Sequence, residues 1–168
     1  LPAAKEKMEL YRLGQRLFAE NGYMDVGMDH FSLPEDDLYK ALQGGWLFRN
    51  FMGYTTHRSD ILIGLGVSSI SDTGNAFAQN EKTIHNYYQK INSGTFAVQK
   101  GYFLNIEDRA FRKYILDLSC LGKTEMKTEH LHTLMQHTLP ELKKLEADGL
   151  VERMGNLVQK TETGRHFI

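Results

Sequence analysis

The sequence predicts an α+β fold in which short strands alternate with amphipathic helices and the last fifty residues form a winged-helix-like unit. Three observations support it: apolar residues recur at helical spacing, short apolar runs are bounded by glycines, and a hairpin pattern lies near the end. Of the 168 residues, 41% are hydrophobic and 24% are charged. This composition supplies a packed core and excludes an intrinsically disordered chain.

The first segment predicts a helix, a strand and a second helix. The first helix carries leucines at helical spacing and ends at a glycine cap: Leu10, Leu13, Leu17 and Asn21-Gly22. A short strand is predicted over Tyr23–Val26. The second helix is predicted to start at Pro34, with acidic residues in its first turn, and to end at Gly44-Gly45. Further along, Ile61–Ile63 predicts a buried strand.

The middle of the chain contains two sets of apolar residues spaced i, i+3, i+4, i+7, which predict two amphipathic helices. The sets are Ile84, Tyr87, Tyr88 and Ile91, then Phe111, Tyr114, Ile115 and Leu118. A short helix marked by Leu131, Leu134 and Met135 follows, and another runs from Pro140 to Gly149. Two strands around Gly155-Asn156 then predict a hairpin with a two-residue loop. Three helices followed by a hairpin are typical of a winged helix.

Charge and cysteine content exclude several classes of protein. The formal net charge is −1, and residues 120–168 carry seven basic and seven acidic side chains, so no basic face for nucleic acid is expected. No apolar run approaches the roughly 18 residues of a membrane span. The single cysteine, Cys120, excludes an internal disulfide and favours a cytoplasmic protein. Because the chain opens at Leu1 and enters a helical pattern at once, we expect a piece of a longer protein.

The densest motif lies in residues 49–56 and reads Arg49-Asn50-Phe51-Met52-Gly53-Tyr54-Thr55-Thr56. An aromatic ring, a thioether, a glycine and two hydroxyls can together clasp a planar ligand. The alternative is a hairpin with a buried aromatic, which composition alone favours. Composition does not choose a ligand.

Weaker signals lie elsewhere. Residues 64–69 contain two glycines after an apolar run but not a full dinucleotide-binding motif. Asp29-His30 can act as an acid–base pair, although such pairs more often stabilise turns. Three histidines, His130, His132 and His137, lack the accompanying carboxylate of a metalloprotease motif, which argues against a metal site. Cys120 is interpreted as a small core residue.

Taken in order, several motifs resemble oxygen-independent coproporphyrinogen III oxidase, a radical S-adenosylmethionine enzyme family of haem biosynthesis. The motifs are Gly27-Met28-Asp29-His30-Phe31, residues 49–56, Asp60, Gly64-Leu65-Gly66-Val67-Ser68-Ser69-Ile70-Ser71 and Ala78-Gln79-Asn80. Their order and spacing match across nearly the whole chain. The resemblance implies the last elements of a partial βα barrel over residues 1–75, a connecting helical region over 76–107 and a winged-helix-like domain over 108–168.

The resemblance also implies an activity. The family converts two propionates of coproporphyrinogen III to vinyl groups, giving protoporphyrinogen IX, with S-adenosylmethionine and a 4Fe-4S cluster as cofactors. The family holds its cluster with a CxxxCxxC motif, which this sequence lacks. We therefore expect the chain to be inactive alone, to have a missing N-terminal barrel portion as its partner, and to be able to self-associate through an exposed barrel edge. Neither a nucleic-acid nor a membrane partner is expected.

Site residues follow from the same resemblance. A second S-adenosylmethionine site corresponds to Phe51, Met52 and Ile70, although well-characterised members have glutamine at the Met52 position. From chemistry, Arg49, Tyr54 and Thr55 are substrate-side candidates, since an arginine suits a propionate carboxylate. The catalytic residues are not identified. The alternative function is a non-catalytic tetrapyrrole-binding or nucleic-acid-binding module.

Overall fold

The computed structural model describes residues 2–133 and 138–167. It divides into two compact units, one formed by Leu1–His57 with Tyr114–Ile168 and the other by Arg58–Lys113. Every strand pairing within the described part of the chain is antiparallel. The mixed helix and strand composition predicted from the sequence is therefore present, as small antiparallel sheets.

Five helices and ten strands are named in chain order. The helices are α1 (Ala4–Glu20), α2 (Asp37–Gly44), α3 (Ile84–Asn92), α4 (Ile106–Leu121) and α5 (Leu139–Ala147). The strands are β1 (Met24–Gly27), β2 (His30–Ser32), β3 (Phe48–Asn50), β4 (Gly53–Thr55), β5 (Ile70–Asp72), β6 (Ala76–Asn80), β7 (Val98–Phe103), β8 (Lys123–Glu125), β9 (Val151–Met154) and β10 (Leu157–Lys160).

The core of the first unit joins its two ends. Its buried residues come from β1, α2, the β3–β4 region and α4, and they are Val26, Ala41, Leu47, Tyr54 and Cys120. Leu38 and Leu42 of α2 pack against them. Helix α1 contributes no buried residue, and Leu10, Leu13 and Leu17 are all at least 40% exposed. The leucine spacing thus predicted the helix correctly, while its apolar face stays accessible.

Helix α2 begins later than the sequence predicted. Pro34 lies in a turn, and the helix starts at Asp37 after Asp36, whose carboxylate accepts a hydrogen bond from the Leu38 backbone N–H. An aspartate at this position satisfies an amide that the helix leaves without a partner. The predicted end is confirmed, because Gly45 has φ +76°, the left-handed conformation that closes a helix.

In the last part of the first unit, helix α5 and the hairpin that follows it lie where the sequence predicted them. Strands β9 and β10 pair around Gly155-Asn156, and β8 adds to β10, giving the sheet order β8-β10-β9. Val151 and Val158 are buried on this sheet. Of the predicted short helix, Leu131 is helical, whereas Leu134 and Met135 lie outside the described residues.

The second unit is a three-stranded sheet with a helix. Strands β5, β6 and β7 pair in that order, and α3 begins after Thr83, whose hydroxyl accepts from the Asn86 backbone N–H. The predicted strand at Ile61–Ile63 is wrong. Leu62 makes only an isolated bridge to Asp72, and Ile61 and Ile63 are each 62% exposed.

Within the second unit, Arg112 anchors the first half of α4 to β5. Its guanidinium forms two hydrogen bonds to the Asp72 carboxylate and lies 5.3 Å from the centre of the Phe77 ring. A two-pronged ion pair of this kind fixes the orientation of the guanidinium as well as pairing its charge.

Within the described residues, no helix is both long and apolar enough to cross a membrane.

Candidate functional site

Two hairpins of the first unit bring two of the sequence motifs together. Strands β1 and β2 place Gly27 opposite His30, and strands β3 and β4 place Asn50 opposite Gly53. The hairpins meet where the His30 ring stands edge-on to the Tyr54 ring, with centroids 5.1 Å apart and planes at 87°. Such edge-on packing is favourable for aromatic rings. The motifs are therefore neighbours in space, although residues 32–48 lie between them in the sequence.

Gly53 is required where the two hairpins touch. Its φ is +128°, and a Cβ at this position would lie 2.7 Å from Nε2 of His30. Both the positive φ and the short distance to the His30 ring therefore exclude a side chain at position 53. The preceding turn is fixed by Asn50, whose Oδ1 accepts a hydrogen bond of 2.8 Å from the Met52 backbone N–H. Histidine, glycine and asparagine together set the shape of this turn.

The turn presents Phe51 and Met52 at its tip. Phe51 is 52% exposed and Met52 is 86% exposed. An accessible aromatic ring and a polarizable thioether can pack on the face of a planar group such as a purine. Ile70, the third predicted residue of this site, opens β5 in the second unit and is partly buried.

The substrate-side candidates differ in what their polar groups do. Tyr54 is buried, its hydroxyl donates to the Ser119 carbonyl at 3.0 Å, and burial raises its pKa. The Thr55 hydroxyl accepts from the His57 backbone N–H. Arg49 lies with its guanidinium 5.9 Å from the Tyr54 ring centre. Its Nε is buried without a hydrogen-bond partner among the described residues, so Arg49 retains an unused donor.

The Asp29-His30 pair is placed for packing rather than for proton transfer. The Asp29 carboxylate lies 2.9 Å from His30 Nδ1, yet this nitrogen lacks a hydrogen-bond partner of acceptable alignment. Hydrogen bonds weaken steeply when bent, so this contact does not hold a proton between the two groups. The side chain of Asp29 is 86% exposed, whereas that of His30 is 32% exposed and sits against Gly53.

In the second unit, Asn80 holds the glycine-containing segment. Its amide nitrogen donates to the carbonyls of Gly64 and Gly66, at 3.1 Å and 2.9 Å. The hydroxyl of Tyr87 on α3 accepts from the Gly66 backbone N–H. A Cβ on Gly64 would lie 2.7 Å from the Ile70 carbonyl oxygen, so the segment passes close to β5. The motifs at 64–71 and 78–80 therefore form one structure.

The sequence did not predict that the Asn80 side chain binds the carbonyls of Gly64 and Gly66. The motif Ala78-Gln79-Asn80 supported the resemblance but did not predict these hydrogen bonds. A single asparagine shows no local sequence pattern from which carbonyl partners 14 and 16 residues away could be predicted. The Tyr87 hydroxyl was likewise hidden, since its spacing indicated only a helix face.

The three histidines do not form a metal site in the described part of the chain. His130 Nδ1 lies 2.7 Å from the Tyr114 hydroxyl, which also accepts from the Lys127 backbone N–H. His132 is exposed, and His137 lies outside the described residues. No group of three or more His, Cys, Asp or Glu side chains among the described residues can hold a metal ion.

Cys120 is predicted to be unreactive in the folded chain. The side chain is buried, and burial raises the pKa of its thiol to about 11. Because the thiolate is the nucleophile, we expect alkylation by iodoacetamide at pH 8 to be at least about 100-fold slower than for a free cysteine. The rate should rise about tenfold per pH unit up to pH 10. Mass spectrometry with and without urea measures both rates, and equal rates would contradict the prediction.

Comparison with solved structures finds a similar chain whose class is known. Coproporphyrinogen III oxidase from Escherichia coli, described as a radical SAM enzyme, matches with a TM-score of 0.83 and 33% identity. The match covers 99% of this chain and 40% of that chain. The chain is thus related in fold and sequence to a radical SAM enzyme.

Comparison with curated proteins shows which sequences the chain is similar to. The oxygen-independent coproporphyrinogen III oxidases of Pseudomonas aeruginosa and Synechocystis are 36% and 35% identical over the whole chain. The chain is therefore homologous to the oxygen-independent coproporphyrinogen III oxidases, and the resemblance seen in the motifs is confirmed. It spans 38% of the length of these relatives. No family model matches the chain.

Proposed function

We propose that this chain is the C-terminal part of an oxygen-independent coproporphyrinogen III oxidase. The complete protein would convert two propionates of coproporphyrinogen III to vinyl groups and so produce protoporphyrinogen IX. The observation that carries the proposal is homology over the whole chain at 33–36% identity to proteins of that name. The meeting of the two motif-bearing hairpins at His30 and Tyr54 supports it, because a site can then form there.

The finer architecture is part of the proposal. Residues 1–75 would complete a βα barrel, residues 76–107 would form a connecting helical region, and residues 108–168 would form a winged-helix-like domain. The order α4, β8, α5, β9 and β10 supports the last assignment, as does the small sheet in which β8 adds to the terminal hairpin. We also place the complete protein in the cytoplasm, since its one cysteine in this part is a buried thiol.

Phe51, Met52 and Ile70 would form part of a second S-adenosylmethionine site. The tip of the β3–β4 turn fits a planar base, because it offers an accessible ring and a thioether on a backbone fixed by Asn50 and Gly53. Met52 cannot supply the hydrogen bonds of the glutamine found in well-characterised members. Binding here would therefore depend on packing against Phe51 more than on hydrogen bonds.

The radical chemistry would come from S-adenosylmethionine and a 4Fe-4S cluster bound elsewhere in the complete protein. The residues described here do not fit a cluster, since they contain no metal-binding group and the one cysteine is buried. This chain would instead bind, orient and enclose the reactants. On its own it should not turn over substrate.

Arg49 is proposed to bind a propionate of the substrate. Among the described residues its Nε has no hydrogen-bond partner, and its guanidinium lies beside the Tyr54 ring, which supports a planar donor that a carboxylate can use. In the complete enzyme, Arg49→Ala should raise KM for coproporphyrinogen III by about 10- to 100-fold, the loss expected for a charge-assisted pair. Cleavage of S-adenosylmethionine without substrate should change little.

Two further variants test this assignment. Arg49→Lys keeps the charge but loses the two-pronged geometry, so its KM should lie between those of the wild type and Arg49→Ala. Arg16→Ala removes an exposed arginine of α1 that lies 3.7 Å from Glu20, and serves as the matched control. An unchanged KM in Arg49→Ala, with the protein folded, would contradict the proposed contact.

A further inference from the structure

The segment that leads into β5 in the second unit has a strained backbone. Ser68 has φ +59°, the left-handed conformation that residues other than glycine rarely adopt. Such a residue persists only where the surrounding contacts hold it, and strained residues of this kind cluster at ligand-binding and catalytic sites. The contacts that hold residues 64–70 are therefore candidates for a functional role.

The end of β6 and the residue after it hold the strained position. The Ser68 backbone N–H donates to the Glu81 carbonyl at 2.8 Å, and the Ser68 carbonyl accepts from the Gln79 side-chain amide at 3.1 Å. The Asn80 backbone N–H donates to the Ser69 carbonyl at 3.0 Å. Three consecutive residues thus fix the two residues that immediately precede β5.

Asn80 holds this segment at more than one place. Besides the backbone bond to Ser69, its side-chain amide donates to two carbonyls of the segment, one of them that of Gly64. The Gly64 backbone N–H in turn donates to the Ser71 hydroxyl at 3.0 Å. Asn80 therefore contacts the residue before Ile70 directly and, through Gly64, is connected to the residue after it.

These bonds fix the backbone on both sides of Ile70. Ile70 opens β5, pairs with Gln79 of β6 and is partly buried. Its position cannot shift far without breaking hydrogen bonds that converge on Asn80. A binding residue held in this way favours affinity, because the ligand does not have to order the loop when it binds.

We propose that Asn80 is a positioning residue for the ligand contact made by Ile70. Its side-chain amide fixes the segment on which Ile70 lies, and so sets the affinity for S-adenosylmethionine. The ligand contacts the isoleucine, and Asn80 acts through it. This inference rests on the proposed second S-adenosylmethionine site.

Equilibrium dialysis of labelled S-adenosylmethionine against the complete, cluster-containing protein tests the proposal. Asn80→Ala removes the amide donor, so the loop should hold Ile70 in place for only a fraction of the time. Affinity at the second site falls in proportion to that fraction, and we expect a loss of at least about tenfold. The electron paramagnetic resonance signal of the reduced cluster, which reports S-adenosylmethionine bound at the cluster, should be unchanged.

Thr83→Ala is the matched control for stability. The Thr83 hydroxyl accepts from the Asn86 backbone N–H at the start of α3, in the same unit, and makes no hydrogen bond to residues 64–70 in the described structure. Both variants lose side-chain hydrogen bonds and should unfold at lower urea concentration, but only Asn80→Ala should lose affinity for S-adenosylmethionine. Equal losses of affinity would show a general effect of stability and overturn the proposal.

A double variant tests whether Asn80 acts through Ile70. Ile70→Ala should weaken binding at the second site, and adding Asn80→Ala should weaken it by no more than about twofold further, because the contact to be positioned is gone. Losses that multiply would contradict the proposal. Normal affinity in Asn80→Ala with weakened binding in Ile70→Ala would overturn it and leave the proposed site intact, whereas normal affinity in both variants would overturn the site as well.

Discussion

Replacing Gly53 by alanine is expected to destabilise the first unit and to weaken S-adenosylmethionine binding by the complete protein. The backbone φ of +128° is unfavourable for any side chain, and the new Cβ would lie 2.7 Å from His30 Nε2. Strain and overpacking together should lower the free energy of unfolding by about 2–5 kcal/mol. Urea denaturation followed by circular dichroism measures this loss, and calorimetry measures the affinity.

Gly149→Ala separates backbone strain from the clash with His30. Gly149 has φ +70°, and nothing lies within 4 Å of its would-be Cβ, so only strain of about 1–2 kcal/mol is expected. The double variant Gly53→Ala/His30→Ala should recover part of the stability lost in Gly53→Ala, because the imidazole ring that clashes with the new Cβ has been removed. If Gly53→Ala is no less stable than Gly149→Ala, the proposed contact between the two hairpins is wrong.

Replacing Tyr54 by alanine is the second change with a large expected effect. The Tyr54 ring lies in the core of the first unit, beneath His30 and Arg49, and joins β4 to α4 through the Ser119 carbonyl. Removal of a buried aromatic ring should lower the free energy of unfolding by about 3–5 kcal/mol. The same urea titration measures it.

Tyr54→Phe isolates the hydroxyl. The ring and its packing remain, while the Ser119 carbonyl loses its donor, so a loss of about 1 kcal/mol is expected. In the complete enzyme, Tyr54→Phe should leave KM for coproporphyrinogen III within about twofold, since the hydroxyl is used internally. A large rise in KM with little change in stability would instead show that the Tyr54 hydroxyl contacts substrate.

Elements with strong local signals could be predicted from the sequence. The hairpin of β9 and β10 follows from two apolar runs around Gly155-Asn156, a pair that suits a two-residue loop. Helix α3 follows from its apolar spacing. The end of α2 follows from Gly45, because few residues other than glycine adopt the left-handed conformation that closes a helix.

Elements that depend on distant partners could not be predicted. Ile61–Ile63 has the composition of a buried strand, but its neighbourhood leaves both isoleucines exposed. Strands β5, β6 and β7 carry little alternation, and β7 is exposed along its whole length. Their pairing depends on partners that are far apart in sequence.

The candidate site was predictable as a set of motifs but not as a geometry. A hairpin with a buried aromatic was the interpretation that composition favoured for residues 49–56, and β3–β4 is such a hairpin, with Tyr54 inside and Phe51 outside. Nothing local shows that His30 occupies the space above Gly53. That contact depends on the packing of two hairpins, which appears only in three dimensions.

Anaerobic conversion of coproporphyrinogen III by the complete protein tests the central claim most directly. With S-adenosylmethionine and a reductant, we expect protoporphyrinogen IX and two molecules of carbon dioxide per substrate. Gly53→Ala should reduce this conversion strongly, whereas Gly149→Ala should leave it nearly unchanged. If the wild-type protein forms no protoporphyrinogen IX while the Escherichia coli oxidase does so in the same assay, the proposed function is contradicted.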